Sequence, residues 1–452
     1  MTLPNYFLAD LPPEAVLTPT MITEACQTLK RNREHYLVGR STSHLVKVIS
    51  EVADNWLQPD YPFRRLALEA GSITGFQRAT LARGLDAFFT EVTRDNLHAL
   101  LMQELGHSHR LDEMSAPDGE SRQGRAALAR GPELIAHITA SNLPSPALLS
   151  IALGLLARSA QFVKCSLGTS FLPRLFAHSL YDADPKLASC LEVAEWRGGT
   201  TTLEERLFAE ADCVTATGSD ETLEKIRCHL PLRVRFLNYG HRVSFGYVAR
   251  GVLSGFGTKK IVARAADDVI AWNQLGCLSP HVIYVETGGA ISAERFAEDL
   301  SEELKRREAE EPRGELPVEL AATIASRRDI YRVRSGASPE TRLWCSDGST
   351  AWTVVYEADA RFQLSCLHRF IYVKSVPDLG DTLRQAESVR GQVSTVGLAA
   401  PDDEMQALAT ELARWGVTRV CPLGRMQNPP LTWRHDGRPS LGDLVTWTDW
   451  EQ

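Results

Sequence analysis

From about residue 20 to residue 110, apolar side chains return every three or four positions between polar ones, the spacing that gathers them on one face of a helix. The pattern predicts helices over residues 22–36, 43–57, 77–89 and 95–105, punctuated by Pro59, Pro62 and Gly71. Residues 115–125, Ser-Ala-Pro-Asp-Gly-Glu-Ser-Arg-Gln-Gly-Arg, are polar and turn-rich and read as a loop. Beyond residue 130 short apolar runs alternate with helical stretches. Strands are expected at 134–140, 162–165, 213–217 and 234–239, with helices at 147–159 and 220–229. The rhythm resumes with strands at 281–286, 352–357 and 370–376, and with a surface helix at 292–310 whose apolar edge is Phe296, Leu300 and Leu304. Strand–helix–strand alternation marks a mostly parallel sheet covered by helices. The expected fold is therefore α/β, with two parallel-sheet domains and a helical N-terminal region. The helical region takes residues 1–125 and packs on a first α/β domain at 126–250. A second spans 251–425, starting where Gly251, Gly255 and Gly257 cluster, and 426–452 form a C-terminal tail.

Composition narrows the class. The 452 residues are 44% hydrophobic and 23% charged, as in an ordinary globular protein. Net charge is 49 − 57 = −8 with no long basic run, which argues against nucleic acid or an anionic membrane as partner. The nine cysteines are scattered and form no CxxC pair, so neither a metal site nor a disulfide framework is expected. The N-terminus lacks the basic start and apolar core of a signal peptide. The longest apolar stretch, residues 148–157, falls short of the ~20 residues that span a bilayer. A cytoplasmic protein without a membrane span is expected.

The candidate chemistry centres on Trp272-Asn273-Gln274-Leu275-Gly276-Cys277-Leu278-Ser279-Pro280, just before an expected buried strand. A thiol beside Gly276 and a small Ser-Pro turn has little bulk to shield it, and a thiol ionises enough near neutral pH to act as a nucleophile. A buried filler cysteine is the alternative. Gly255-Phe-Gly-Thr-Lys-Lys260 lacks the GxxxxGK[ST] order of an ATP-binding loop, and no G-x-G-x-x-G follows a strand. His281, after Pro280, reads as a sheet residue, whereas His241-Arg242 could meet a thioester carbonyl or a phosphate.

Four segments stand in a telling order: Ser141-Asn142-Leu143-Pro144, Val163-Lys164-Cys165-Ser166, Thr215-Ala216-Thr217-Gly218-Ser219 and Gly276-Cys277. The order resembles the aldehyde dehydrogenase superfamily. Three further stretches are similar to the bacterial Lux-type acyl-CoA reductases, which supply long-chain aldehyde in bioluminescence. They are Gln274-x-Gly276-Cys277-Leu278-Ser279-Pro280, Gly240-His241-Arg242-Val243-Ser244-Phe245, and the tail Pro422-Leu423-Gly424 with Trp433-Arg434-His435-Asp436-Gly437. The similarity runs from about residue 50 to the C-terminus.

The resemblance implies an aldehyde dehydrogenase-like fold, with 126–250 binding a nicotinamide cofactor and 251–425 carrying the catalytic Cys277. It implies NADPH-dependent reduction of a fatty acyl-CoA or acyl-protein thioester to an aldehyde through an acyl-enzyme. Asn142 and the Cys277 N–H would hold the oxyanion, with a helix-opening cap as the plain alternative for Asn142. Lys164 and Ser166 would bind cofactor, and a pyrophosphate would rest at the helix N-terminus after Gly218-Ser219. Ordinary capping is the alternative for Ser219. An acyl-protein synthetase is the implied partner, and a homo-oligomer is expected. The same machinery could run in reverse as a CoA-acylating aldehyde dehydrogenase, or the chain could be an acyl carrier.

Departures from the superfamily sharpen this reading. Hydrolytic members carry a Glu before a Gly pair, whereas Leu237-Asn238-Tyr239-Gly240-His241 has no carboxylate to activate water. Leu167 follows Ser166 where many NAD-dependent members have a Glu, which removes repulsion against a 2′-phosphate and favours NADPH over NADH. A second glycine of the phosphate segment and a clean Glu-x-Phe segment near Arg361-Phe362-Gln363 are both missing.

Overall fold

The computed structural model describes residues 3–12, 14–140, 142–254 and 256–451. Ser141 and Gly255, singled out above, lie outside the described residues. Two compact units emerge. The first comprises Met1–Thr74, Leu85–Gly240 and Pro430–Gln452, the second Gly75–Gly84 and His241–Pro429.

The first unit carries β1 (Arg125–Arg130), β2 (Leu134–Ile138), β3 (Ala160–Cys165), β4 (Leu191–Glu195), β5 (Cys213–Thr217) and β6 (Arg235–Tyr239). Strands β2 to β6 form a parallel sheet of order β4-β3-β2-β5-β6. Every residue of β2 and β3 is buried, as central parallel strands covered on both faces must be. One face packs Ile22, Cys26 and Leu29 of the helix Pro19–Tyr36 and Leu203 and Leu207 of the helix Thr201–Glu210. The first of these helices starts cleanly because Thr18 caps the Met21 N–H and Pro19 opens the first turn. Trp56 of the helix Thr42–Leu57 is fully buried and donates to Ser179 Oγ at 2.9 Å.

The second unit holds β7 (Val243–Val248), β8 (Pro280–Glu286), β9 (Thr341–Cys345), β10 (Thr353–Glu357), β11 (Phe370–Val376), β12 (Val393–Ala399) and β13 (Arg419–Pro422). Their order is β13-β12-β7-β8-β11-β10-β9, all parallel except β9. The pleat sorts the core into two layers: Val282 and Tyr284 face one, Ile283 and Val285 the other. The helices Phe256–Ile270 and Ala293–Glu310 cover the second of these layers. As expected, Phe296, Leu300 and Leu304 form the buried edge of the latter helix. The last strand, β14 (Thr446–Glu451), returns to the first unit and pairs antiparallel with β1.

The expected segment boundaries shift in three places. The division falls near residue 240 rather than 250, because β7 is a central strand of the seven-stranded sheet. Gly75–Gly84, assigned to the helical N-terminal region, belongs with the second unit, and the tail from Pro430 belongs with the first. The expected loop at 115–125 contains a helical turn, Asp118–Ser121, and ends as β1 begins. The helix Val318–Ala337 escaped the periodicity argument because its buried positions are only Ile324, Arg328 and Tyr331. Among the described residues no helix is long and apolar enough to cross a membrane.

Candidate active site

Cys277 sits in the turn between the helix Phe256–Ile270, with its 3-10 extension Ala271–Gln274, and the amino end of β8. The turn closes through a hydrogen bond from Ser279 N to Gly276 O at 2.9 Å. Side chains hold it on several sides, Ser244 and Gln274 buried and Gln427 half-buried. Ser244 Oγ of β7 donates to the Cys277 carbonyl at 2.8 Å. The Gln274 amide donates to Pro280 O at 2.7 Å and Phe370 O at 2.9 Å, and Gln427 Nε2 donates to Ser279 Oγ at 2.6 Å. A Cβ at Gly276 would lie 2.3 Å from Nε2 of Gln427, so a side chain there would have to displace the Gln427 amide from its bond to Ser279.

The thiols differ in a way that bears on chemistry. Cys277 is partly exposed, whereas Cys26, Cys165, Cys190 and Cys213 are buried. Burial pushes Cys26, Cys165 and Cys190 up to about 12 and Cys213 up to about 11, so these stay protonated and unreactive near neutral pH. Cys421 is likewise raised to about 12 by burial.

His281 is a buried residue of β8. Its Nδ1 accepts from Ser365 N at 3.1 Å, so the proton lies on Nε2. Burial pushes it down to about 4, with His241 adding a smaller push, which keeps it neutral at neutral pH. His241 and Arg242 form the exposed and half-buried link into β7.

In the first unit, Asn142, Lys164, Ser166, Gly218 and Ser219 lie at or just beyond the carboxyl ends of β2, β3 and β5, where open parallel sheets take ligands. Cys277, by contrast, precedes the amino end of its strand. Asn142 is exposed, and the cap position of the following helix falls on Pro144. Lys164 is 3% exposed, its Nζ 5.7 Å from the Trp196 ring centroid. Burial lowers its pKa, partly offset by the field of Glu204. Among the described residues its ammonium makes no ion pair or hydrogen bond, so it suits an anionic or hydroxylic ligand such as a cofactor ribose or phosphate. Gly218 N donates to Tyr239 O at 3.2 Å, and Ser219 Oγ accepts from Thr222 N at 3.3 Å as a helix cap. The first turn of that helix carries Asp220 and Glu221, so a phosphate there would meet acidic neighbours.

Several residues that adjoin the site were not connected with it by the sequence. Ser244 and Gln427 stand far from Cys277 in sequence, and Glu195 at the end of β4 accepts from Gly168 N at 2.9 Å and Ser170 N at 3.0 Å. A carboxylate is thus present beside the Lys164-x-Ser166 segment, occupied by backbone donors. Within the second unit a polar cavity of about 280 Å³ is walled by Arg83, Asp268, Trp272, Arg425, Gln427 and Asn428, among others. Asp268 is pushed up to about 7 by burial, although it accepts from Gly424 N and from Met426 N at 2.8 Å. No group of three or more metal-ligating side chains occurs among the described residues.

Known proteins match this arrangement at two levels. A model of the family described as acyl-CoA reductase (LuxC) matches residues 38–447. The long-chain acyl-protein thioester reductase of Aliivibrio fischeri is 24% identical over 429 residues, covering 92% of this chain and 83% of that one. Its namesake in Vibrio harveyi is 22% identical over 431 residues, covering 92% and 84%. Among solved structures, a putative aldehyde dehydrogenase PutA from Anabaena variabilis aligns with a TM-score of 0.70 at 16% identity, over 96% of this chain and 93% of that one. The Delta-pyrroline-5-carboxylate dehydrogenase of Mycobacterium tuberculosis aligns with a TM-score of 0.69 at 12% identity, over 96% and 83%. At these identities the structural likeness speaks for the fold alone, and that fold is the aldehyde dehydrogenase-like one expected from the motif order.

Proposed function

This chain belongs to the acyl-CoA reductase (LuxC) family and is an acyl reductase, and from that premise we propose that it turns a long-chain fatty acyl thioester into the fatty aldehyde through an acyl-enzyme on Cys277, with NADPH as reductant. The observation that supports the Cys277 assignment is its setting: a partly exposed thiol in a turn held by Ser244, Gln274 and Gln427, within the motif that carries the family resemblance. Exposure alone does not single it out, since Cys228 is exposed and Cys345, Cys366 and Cys421 are partly exposed.

In this reading the Cys277 thiolate attacks the thioester carbonyl, and the tetrahedral oxyanion takes hydrogen bonds from the Cys277 N–H and the Asn142 amide. Collapse expels the donor thiol, which leaves with a proton. No carboxylate occurs in Leu237-Asn238-Tyr239-Gly240-His241 to activate water, so the acyl-enzyme persists. A bound nicotinamide supplies the hydride. The resulting thiohemiacetal on Cys277 then breaks its C–S bond, releasing aldehyde and restoring the thiolate. Lys164 and Ser166 would hold the ribose end of the cofactor, and the turn Gly218-Ser219 would take its pyrophosphate as the family resemblance implies, beside Asp220 and Glu221 in the first turn of the following helix. The preference for NADPH is supported by the unpaired Lys164 ammonium and by Leu167 in place of an acid, with Glu195 already engaged by Gly168 and Ser170.

The test is an anaerobic assay of NADPH oxidation against acyl-CoAs of graded length, run beside Cys277→Ser. The variant should form neither acyl-enzyme nor aldehyde while keeping its fold. Mass spectrometry after brief exposure to acyl-CoA should find the adduct on the Cys277 peptide alone. An adduct on Cys345, Cys366 or any other thiol instead would move the active site elsewhere.

A further inference from the structure

Two short segments of the second unit share an unusual backbone. Trp272, Asn273 and Gln274 have φ of 51°, 53° and 65°, and Leu367, His368 and Arg369 have φ of 58°, 54° and 65°. Non-glycine residues enter this left-handed region rarely, and a bulky one does so at a cost that surrounding contacts must meet. Three in succession, twice, in one sheet unit calls for a common cause. The two segments are bonded to each other. Arg369 Nε donates to Asn273 Oδ1 at 3.1 Å, and the Gln274 amide donates to Phe370 O at 2.9 Å.

Arg369 is 1% exposed and serves as the hub of this brace. Its Nη1 donates to Glu308 Oε2 and to Glu311 O, both at 2.8 Å, which ties it to the end of the helix Ala293–Glu310. The other half of the Asn273 amide donates to Arg313 O at 3.2 Å. Asn273 therefore has both amide groups committed and cannot relax out of the left-handed turn without breaking a buried hydrogen bond. Glycine would adopt these dihedrals at no cost. Bulky residues there, locked by a buried guanidinium, instead give a turn with one well-defined geometry.

That turn ends three residues before Cys277. We propose that Arg369 is a positioning residue for the nucleophile: by holding Asn273 in the left-handed turn it fixes the path of the chain into Gly276-Cys277. The inference rests on Cys277 as the nucleophile. Its energetic sense is preorganisation, since the thiol arrives at the acyl carbonyl already oriented and the loop need not be ordered in each turnover. The working feature is the hydrogen bond from Arg369 Nε to Asn273, made while Nη1 holds Glu308 and Glu311, rather than the charge alone. Lysine can keep the ion pair with Glu308 but has no second donor in that geometry.

The experiment uses the full chain with hexadecanoyl-CoA and NADPH as probes, and compares Arg369→Lys, Asn273→Ala and Glu308→Gln. Two readouts are taken: kcat and KM separately, and iodoacetamide alkylation rates for each cysteine by peptide mass spectrometry. Arg369→Lys and Asn273→Ala should lower kcat by roughly 10- to 100-fold, with KM changed by less than about threefold. Alkylation of Cys277 should rise while Cys345 and Cys421 keep their wild-type rates. Glu308→Gln removes the ion pair but leaves the Asn273 bond, so it should lower the unfolding midpoint and keep kcat within about threefold of wild type. A role confined to general stability would show as equal kcat losses in Arg369→Lys and Glu308→Gln, or as all thiols becoming reactive together, and either result overturns the proposal. An unchanged Cys277 alkylation rate in both Arg369→Lys and Asn273→Ala also overturns it. If wild-type protein forms no acyl adduct on Cys277, the functional reading fails by itself, and the alkylation arm still decides whether Arg369 sets the turn.

Discussion

A lysine ammonium buried without a hydrogen bond or a contact ion pair destabilises the fold that holds it, because desolvation opposes the charged form. Among the described residues Lys164 is in that position, and burial lowers its pKa, with the field of Glu204 offsetting part of the shift. Such a group gains by meeting an anion, so Lys164→Ala should weaken NADPH binding more than NADH binding, by about 1–3 kcal/mol, the scale of a charge-assisted hydrogen bond. Equal losses for both cofactors, measured by fluorescence titration, would confine Lys164 to the ribose that they share and remove the basis for preferring NADPH. Short motifs put Cys277 and Lys164 forward in the sequence. Arg369 stood in no such motif, and Ser244, though quoted in one, could not be tied to Cys277, because their partners lie 96 and 33 residues away. Leu167 stands where many NAD-dependent members have a Glu, yet an acid, Glu195, still comes to this segment from the neighbouring strand, which the local sequence did not reveal.

Elements were legible to the degree that their buried faces are apolar. The strand expected at 370–376 and the helix at 220–229 are Phe370–Val376 and Asp220–His229 in the fold. Strand β7 was quoted as a motif and not recognised as a strand: Ser244 and Gly246 interrupt its apolar run although all six of its residues are buried. Packing between elements was invisible for a different reason, which Gly84 illustrates. A Cβ at Gly84, in the helix Arg78–Glu91, would lie 2.0 Å from Cζ2 of Trp272, so helix and turn meet only because the side chain is absent. Trp272 also packs edge-on against Phe76, with centroids 5.1 Å apart, and leads directly into Asn273. Gly84→Ala must displace the indole and should cost about 1–3 kcal/mol of stability, as overpacking does. It should also lower kcat, because the displaced ring drags the turn before Cys277. Retention of wild-type stability and kcat together would mean that Trp272 yields freely, against the packing described.

At the scale of the whole chain, the order of motifs conveyed the fold, while the chain's returns between units stayed hidden. The tail's place in the first unit depends on contacts no local pattern carries: Glu104 accepts from the N–H groups of Ser440, Leu441 and Gly442, and Arg235 donates to Leu444 O and Val445 O. The whole chain also sets what it needs from outside. A free carboxylate resists hydride, so a fatty acid must be activated before reduction, and a thioester is such an activated form. In the proposed reaction the acyl group arrives as that thioester, from CoA or from a partner protein that has formed it. Transfer from a protein demands a nucleophile that a second macromolecule can approach, and Cys277 is partly exposed. We expect an acyl-protein synthetase to load Cys277 directly by thiol exchange. With radiolabelled fatty acid, ATP and a synthetase encoded nearby, and with CoA omitted, label should pass to this chain and should vanish in Cys277→Ala. If label stays on the synthetase until CoA is added, diffusing acyl-CoA is the donor and the exchange between proteins does not occur.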